Sequence, residues 1–368
     1  MTNLPIPAAD PIPLPAPVWL LKTLLLVTFF LHLLLMNCAV GGGVIALISA
    51  VRGNKDRFAA GLARKLVGIL PIVTAFTITL GVAALLFAQV LYGQLLYSSS
   101  ILMGVAWIAV IPLLIIAYYG YYWASLKLSL RGLALAVVLL VVIGFIYVTN
   151  MSLMLAPDRW LHMYANSAAG LHLNTADPTF IARYLHMMLG AIAIGGLFVV
   201  ALALRERRAD LREWMLRNGA LWFTIATAGN IVVGFWFLLA LRSDVRTLFM
   251  GGSKLASALL IAGFLLPIGA IVHLLLGLSG RKPERQAIAG IGTGVLTVAV
   301  MVGVRDIVRA GYLNGIFNPA ELQVQPQWSV IAIFLVLFLA GLGTLYWMLR
   351  RLATAPTAAE AKGTSAAN

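Results

Sequence analysis

Nine apolar runs, each long enough to cross a bilayer, constrain this sequence more than any other feature. They lie near 18–50, 66–92, 101–124, 131–155, 181–204, 218–241, 254–279, 286–308 and 328–349. About 20 apolar residues suffice to span the hydrocarbon layer. Without water there, backbone groups must pair within each segment, so runs of this kind cross as helices. The expected fold is all-α, a polytopic transmembrane helical bundle of about nine helices. Composition agrees, with 62% hydrophobic and only 10% charged residues, against roughly 25% charged in soluble domains. A soluble enzyme, a disordered scaffold and a secreted disulfide module are excluded. The single cysteine, Cys38, permits no internal disulfide and no cysteine metal cluster.

The net charge of +14 does not point to nucleic acid, because the basic residues sit in short loops between the apolar runs. Most of them cluster in alternate loops: Arg52 to Lys65, Lys127 and Arg131, Arg205 to Arg217, Arg281 to Arg285, and Arg350 onward. The remaining loops hold Lys22, Arg159, Arg183, Arg242, Arg246, Lys254, Arg305 and Arg309. By the positive-inside rule the first set is cytoplasmic. An odd number of spans then puts the N-terminus outside and the C-terminus in the cytoplasm. The expected setting is a bacterial cytoplasmic (inner) membrane, the outer side being periplasmic if the host is Gram-negative. Residues 1–17 are proline-rich and lack Lys and Arg, unlike a signal peptide, and form an outer-side segment. Residues 18–353 form one membrane domain, and 354–368, rich in Ala, Thr, Ser and Gly, form a disordered cytoplasmic tail. No internal repeat or inverted symmetry points to a transporter.

Ionisable groups inside spans are expensive and mark function by default. Three histidines qualify: His32 in the first run, His186 in the fifth and His273 in the seventh. No Asp or Glu lies at depth in the first seven runs. At about 1.5 Å rise per residue, His32 lies about 27 Å from the cytoplasmic end of its helix, near the outer leaflet. His186 lies about five residues in from the outer side. The two therefore share a depth, while His273 sits near the cytoplasmic end. Two intramembrane histidines without a carboxylate cluster suit haem iron, which takes axial imidazole, better than zinc, which wants three or four converging ligands. A lone membrane histidine also serves simply to hydrogen-bond a neighbouring helix.

Weaker features accompany these. Met151, Met154, Met187 and Met188 offer thioethers, though methionine more often fills gaps. Tyr118 to Trp123 read as an interfacial aromatic belt. Gly41 to Gly43 and Gly190, Gly195 and Gly196 permit close approach of a helix or a macrocycle. The outer-end cations Arg183, Lys254, Arg305 and Arg309 could pair with haem propionates or snorkel to water.

Four segments then resemble subunit I of the cytochrome bd-type quinol oxidases, over roughly residues 24–208. LHLLLMNCAVGGGVIALI is similar to the family's first helix, with His32 on its haem-binding histidine. LGVAALLFAQVLYGQLLYSS resembles the GVATG and EFQFG patterns through Gly81, Val82, Ala83 and Gly93. IPLLIIAYYGYYWAS matches the next helix at Pro112, Leu113 and Ser125. TNMSLMLAPDRW and ARYLHMMLGAIAIGGLFVVALALRER resemble the NGWMQNP segment and the helix after it, through Asn150, Met154, Pro157 and His186. His186 falls on the ligand of the low-spin b haem.

The resemblance implies one to three b haems, with His32, His186 and His273 as candidate iron ligands and Lys254 and Arg183 as further cofactor-binding residues. Departures bear on activity. Gln89 and Ile116 replace the family's two glutamates, and proton-consuming oxygen reduction needs such acids. Only Leu241 to Ser253 stand where the family has a long quinol-binding loop. VRAGYLNGIF replaces the GRQPW-type motif, and the helix-7 methionine has no counterpart in GGSKLASALLIAGF. Met301 and Asp306 lie near the place of the helix-8 glutamate.

The expected function is a haem-b electron-transfer subunit of a respiratory-type complex, without a catalytic site of its own. Its expected partners are an outer-side redox protein such as a c-type cytochrome and a second membrane subunit, with quinone left open. A divergent quinol oxidase, and a non-redox transporter or scaffold on the same fold, are the alternatives.

Overall fold

A computed structural model describes residues 12–166 and 169–354. The proposed N-terminal segment falls partly, and the C-terminal tail almost wholly, outside them. Among the described residues, nine helices are long and apolar enough to span a membrane. They are α1 (Val18–Arg52), α2 (Arg57–Leu102), α3 (Gly104–Lys127), α4 (Leu130–Met154), α6 (Phe180–Ala203), α7 (Ala209–Ala240), α9 (Lys254–Leu278), α10 (Pro283–Leu313) and α11 (Trp328–Thr354). Two short helices, α5 (Trp160–Asn166) and α8 (Ser243–Thr247), lie in the connections. The chain is a multi-pass membrane protein.

The helix ends follow local chemistry. Asp56 caps α2, its carboxylate accepting from the Phe58 and Ala59 amides at 2.8 and 3.2 Å. Ser129 and Ser253 cap α4 and α9 in the same way. Pro283 opens α10 in the first turn, where no amide hydrogen is needed. Several helices outrun their apolar runs, α2 most of all. It continues to Leu102 through a kink at Tyr92, whose φ of −133° and ψ of 26° are not helical.

The described residues divide into two units, Leu21–Ala320 and a smaller one of 12–20 with 321–354. In the smaller unit Leu14 pairs with Val324 in an isolated parallel bridge, and Gln327 donates its amide to the Pro15 carbonyl at 2.8 Å. In the larger unit, α3 and α4, α6 and α7, and α9 and α10 form hairpins.

Lipid is as apolar as leucine, so backbone proximity and dense packing, rather than water exclusion, hold membrane helices together. The closest approach is between α1 and α6, where a Cβ on Gly41 would lie 1.8 Å from the Ala191 carbonyl oxygen. Gly196 and Gly219 also bring α6 and α7 close, with a Cβ on either meeting the other helix's backbone at 2.6–2.7 Å. Tyr121, fully buried, donates its hydroxyl to the Ala39 carbonyl at 2.7 Å and ties α3 to α1. Outward positions such as Ile108, Ile225 and Val232 are exposed and apolar, as a lipid-facing surface requires. The larger unit has a basic end, carrying Arg52 to Lys65, Lys127, Arg205 to Arg212 and Arg281 to Arg285. At its opposite end lie 155–166, 169–180, 241–253 and the last turn of α10.

Candidate functional site

His32 lies on α1 twenty residues before Arg52, about 30 Å from the basic end. Its Nδ1 is 3.0 Å from the Thr77 carbonyl oxygen on α2. A carbonyl only accepts, so Nδ1 carries the proton and Nε2 keeps its lone pair. Thr77 is in mid-helix, and its carbonyl is reachable because the residue one turn on is Gly81. A Cβ there would sit 2.7 Å from His32 Cε1 and 2.8 Å from Nδ1.

The glycine recurs at the second histidine, without the hydrogen bond. His186 lies six residues into α6, about 9 Å from its start, and faces α7 at Asn230 and Gly234. These two residues share the spacing of Thr77 and Gly81. A Cβ on Gly234 would stand 3.3 Å from His186 Cε1 and 3.4 Å from Nδ1. Nδ1 is buried and completes no hydrogen bond, with the Asn230 backbone the polar group bearing on it. The Asn230 side-chain oxygen is likewise buried without a partner.

Arginine and aromatic side chains link the two histidines at this end. Phe29 lies 6.4 Å from the His32 ring, and the Arg305 guanidinium lies 4.3 Å above Phe29. On the other side, Phe237 lies 6.2 Å from the His186 ring, with Arg183 5.1 Å above it. Arg305 and Arg183 are within electrostatic reach of each other. Arg309, one turn beyond Arg305, stacks 4.3 Å from the ring of Tyr92 at the α2 kink. It also pairs with Asp306, which Lys22 meets at 2.8 Å.

Four cations thus gather around Asp306 and Asp177, the latter hydrogen-bonded to Thr179. Arg183 Nε and Arg309 Nε are buried with no acceptor. A buried donor without a partner costs free energy, and an anionic oxygen would supply what both lack.

The other sequence candidates are placed differently. His273 lies near the basic end of α9 with its Nδ1 2.8 Å from Gln286 Oε1 on α10, a cross-hairpin hydrogen bond. Lys254 is exposed at the first residue of α9. Among the described residues no three His, Cys, Asp or Glu side chains gather as a metal site. Sequence reasoning singled out the two histidines and Arg183, Arg305 and Arg309. It missed Thr77, Asn230, Gly234, Phe29 and Phe237. The one available signal was a polar residue followed four later by glycine, which is too common to single out.

No protein-family model and no curated protein matches the sequence. Among solved structures, one chain of the bd oxidase from Geobacillus thermodenitrificans superposes with a TM-score of 0.66. The match covers 92% of this chain and 100% of that one, at 14% sequence identity. This chain has a cytochrome bd-type fold. At that identity the likeness is one of fold, and it bears out the architecture that the four resembling segments imply. The bd-type match spans that chain end to end. Within the larger unit here, α7 and α9 are joined only by the short α8 and a wide turn at Leu248–Gly252.

Proposed function

We propose that this chain is a haem-b-containing integral membrane electron-transfer subunit, in which His32 and His186 would hold the haem iron. The observation that carries the reading is the His32–Thr77 hydrogen bond. Metal-bound histidines characteristically donate their other ring N–H to a carbonyl or carboxylate, which fixes tautomer and ring orientation. His32 is held in that state with Nε2 unencumbered, and His186 faces an equivalent carbonyl and glycine. Bound haem b supplies one-electron exchange at its iron.

The remaining work falls to the protein. Gly81 and Gly234 leave room for the imidazoles. Arg183, Arg305, Arg309 and Lys22 offer the positive field and free donors that two propionate carboxylates need. Lys254 is a further cation at the same end. Phe29 and Phe237 supply apolar surface beside each ring. On this reading one to three haems lie at the outer end. A c-type cytochrome or another outer-side redox protein exchanges electrons there, docking on the loop that follows α4. The membrane is the bacterial cytoplasmic membrane, and a second membrane subunit accompanies the chain.

A divergent quinol oxidase is the weaker reading. Gln89 cannot ionise, and Ile116 is an apolar side chain 46% exposed on the bundle surface, so neither position carries a proton. A non-redox scaffold on this fold is the third reading. A reduced-minus-oxidised absorption spectrum with haem extraction decides among them. A b-type signal diminished in His32→Ala and His186→Ala is the expected result. Haem-free protein purified in its folded state would overturn the proposal, and oxygen uptake with a quinol donor would favour the oxidase.

A further inference from the structure

At the basic end, far from the histidines, α1 and α7 enclose a cleft of about 230 Å³ lined by Arg52, Trp214, Arg217, Asn218 and Leu221. Four of these fall on one face of α7, at positions i, i+3, i+4 and i+7. They run in a chemically ordered series from the helix end towards mid-bundle: an indole, a guanidinium, an amide, then an exposed leucine. Arg52, the last residue of α1, brings a second guanidinium to the same cleft. Among the described residues neither arginine makes an ion pair, whereas neighbouring cations at this end do: Lys65 with Glu206, Arg57 with Asp210 and Arg212 with Glu284. The Asn218 side-chain oxygen is buried without a hydrogen-bond donor.

We infer that this cleft binds the phosphate headgroup of an anionic phospholipid. Two guanidiniums without carboxylates match the oxygens of one phosphodiester, which arginine's planar fork recognises well. The orphaned Asn218 oxygen accepts from a headgroup hydroxyl, as the glycerol of phosphatidylglycerol provides. Trp214 sits at headgroup level, where indole is favoured, and Leu221, 47% exposed, lies where an acyl chain would descend. Basic clefts between spans at the cytoplasmic face are fitted to such lipids. The site is independent of any haem.

The test uses the full chain in neutral detergent, titrated separately with phosphatidylglycerol, phosphatidylcholine and inorganic phosphate. Bound species are read by native mass spectrometry and protection by thermal unfolding. Phosphatidylglycerol should be retained and protective, and R52Q/R217Q should weaken it about tenfold or more, each arginine near the surface contributing roughly 1 kcal/mol. R131Q, at the same end but outside the cleft, should bind as wild type. Equal retention of phosphatidylcholine, or unchanged binding by R52Q/R217Q, would overturn the site. Protection by inorganic phosphate as large as that by lipid would replace the lipid with a soluble anion. If the double variant does not fold, R217Q alone and the salt dependence of wild-type binding give the same readings.

Discussion

The imidazole of His32 and the backbone carbonyl of Thr77 meet at 3.0 Å across the α1–α2 interface, and the neighbour that makes this possible is a hydrogen atom. In an ordinary helix the side chain at i+4 overhangs the carbonyl of residue i. Gly81 removes that overhang, and Gly234 does the same above Asn230 for His186. Each histidine therefore packs against a missing Cβ, and for His32 the backbone carbonyl also fixes the tautomer, which does not depend on a mutable side-chain partner.

Adding the missing atom should break the device. Gly81→Ala puts a methyl 2.7 Å from His32 Cε1, closer than packing allows, so the ring must rotate off Thr77. The expected result is a protein that still folds, destabilised by about 1–3 kcal/mol as for other overpacked sites. It should show an altered or lost b-type spectrum, and Gly234→Ala, with 3.3 Å available, a milder change. Absorption spectra of the purified variants check this. An unchanged spectrum in Gly81→Ala would detach the glycine from the histidine's role.

The architecture was legible because bilayer thickness writes itself into sequence as apolar runs of fixed length, and all nine emerged as helices. The shared depth of His32 and His186 was legible too, since helical rise converts residue number into height. What faces each histidine was not. Rotation about the helix axis is set by contacts such as Gly41 on Ala191 and Gly196 on Phe223, and uniformly apolar helices carry little amphipathic signal to reveal it. Nor does a run of hydropathy show that α2 kinks at Tyr92, or that Arg309 stacks on that ring.

Asp306 is the carboxylate on which both Lys22 and Arg309 converge. It and Arg309 are buried, so removing its charge strands a buried guanidinium. Asp306→Asn should cost about 3–5 kcal/mol, as when one partner of a buried pair is lost, read as a lowered Tm in detergent. With haem bound, loss of a nearby negative charge should also raise its midpoint potential, and Arg305→Gln should lower it. Redox titration gives the two signs. Unchanged potentials in both variants would place the cluster out of electrostatic reach of the haem.

His273 offers the contrasting case. Its ring is engaged with Gln286 at 2.8 Å between the two helices of one hairpin. His273→Ala should leave the b-type spectrum and extracted haem at wild-type levels. Stability should fall by only about 0.6 kcal/mol, typical of an interhelical hydrogen bond in a membrane protein. Loss of a full haem equivalent would instead make His273 a ligand.

The basic end should confer a specific acid sensitivity through Glu206, in the loop between α6 and α7. Burial pushes its carboxyl up, but Lys65 at 2.7 Å, the Arg208 amide at 3.0 Å and the Arg208 charge outweigh that. The net position is below the ordinary value of 4.5. A depressed folded pKa means the ionised form is the one folding favours. Its contribution is fully present above the unfolded pKa and is lost as pH falls through the folded one. Wild-type and Glu206→Gln proteins should therefore differ in Tm by a constant amount at neutral pH, and the gap should close progressively below about pH 5. Thermal unfolding of both across pH 3 to 8 measures it. A gap that persists unchanged to the lowest pH would mean the glutamate acts by shape rather than by charge.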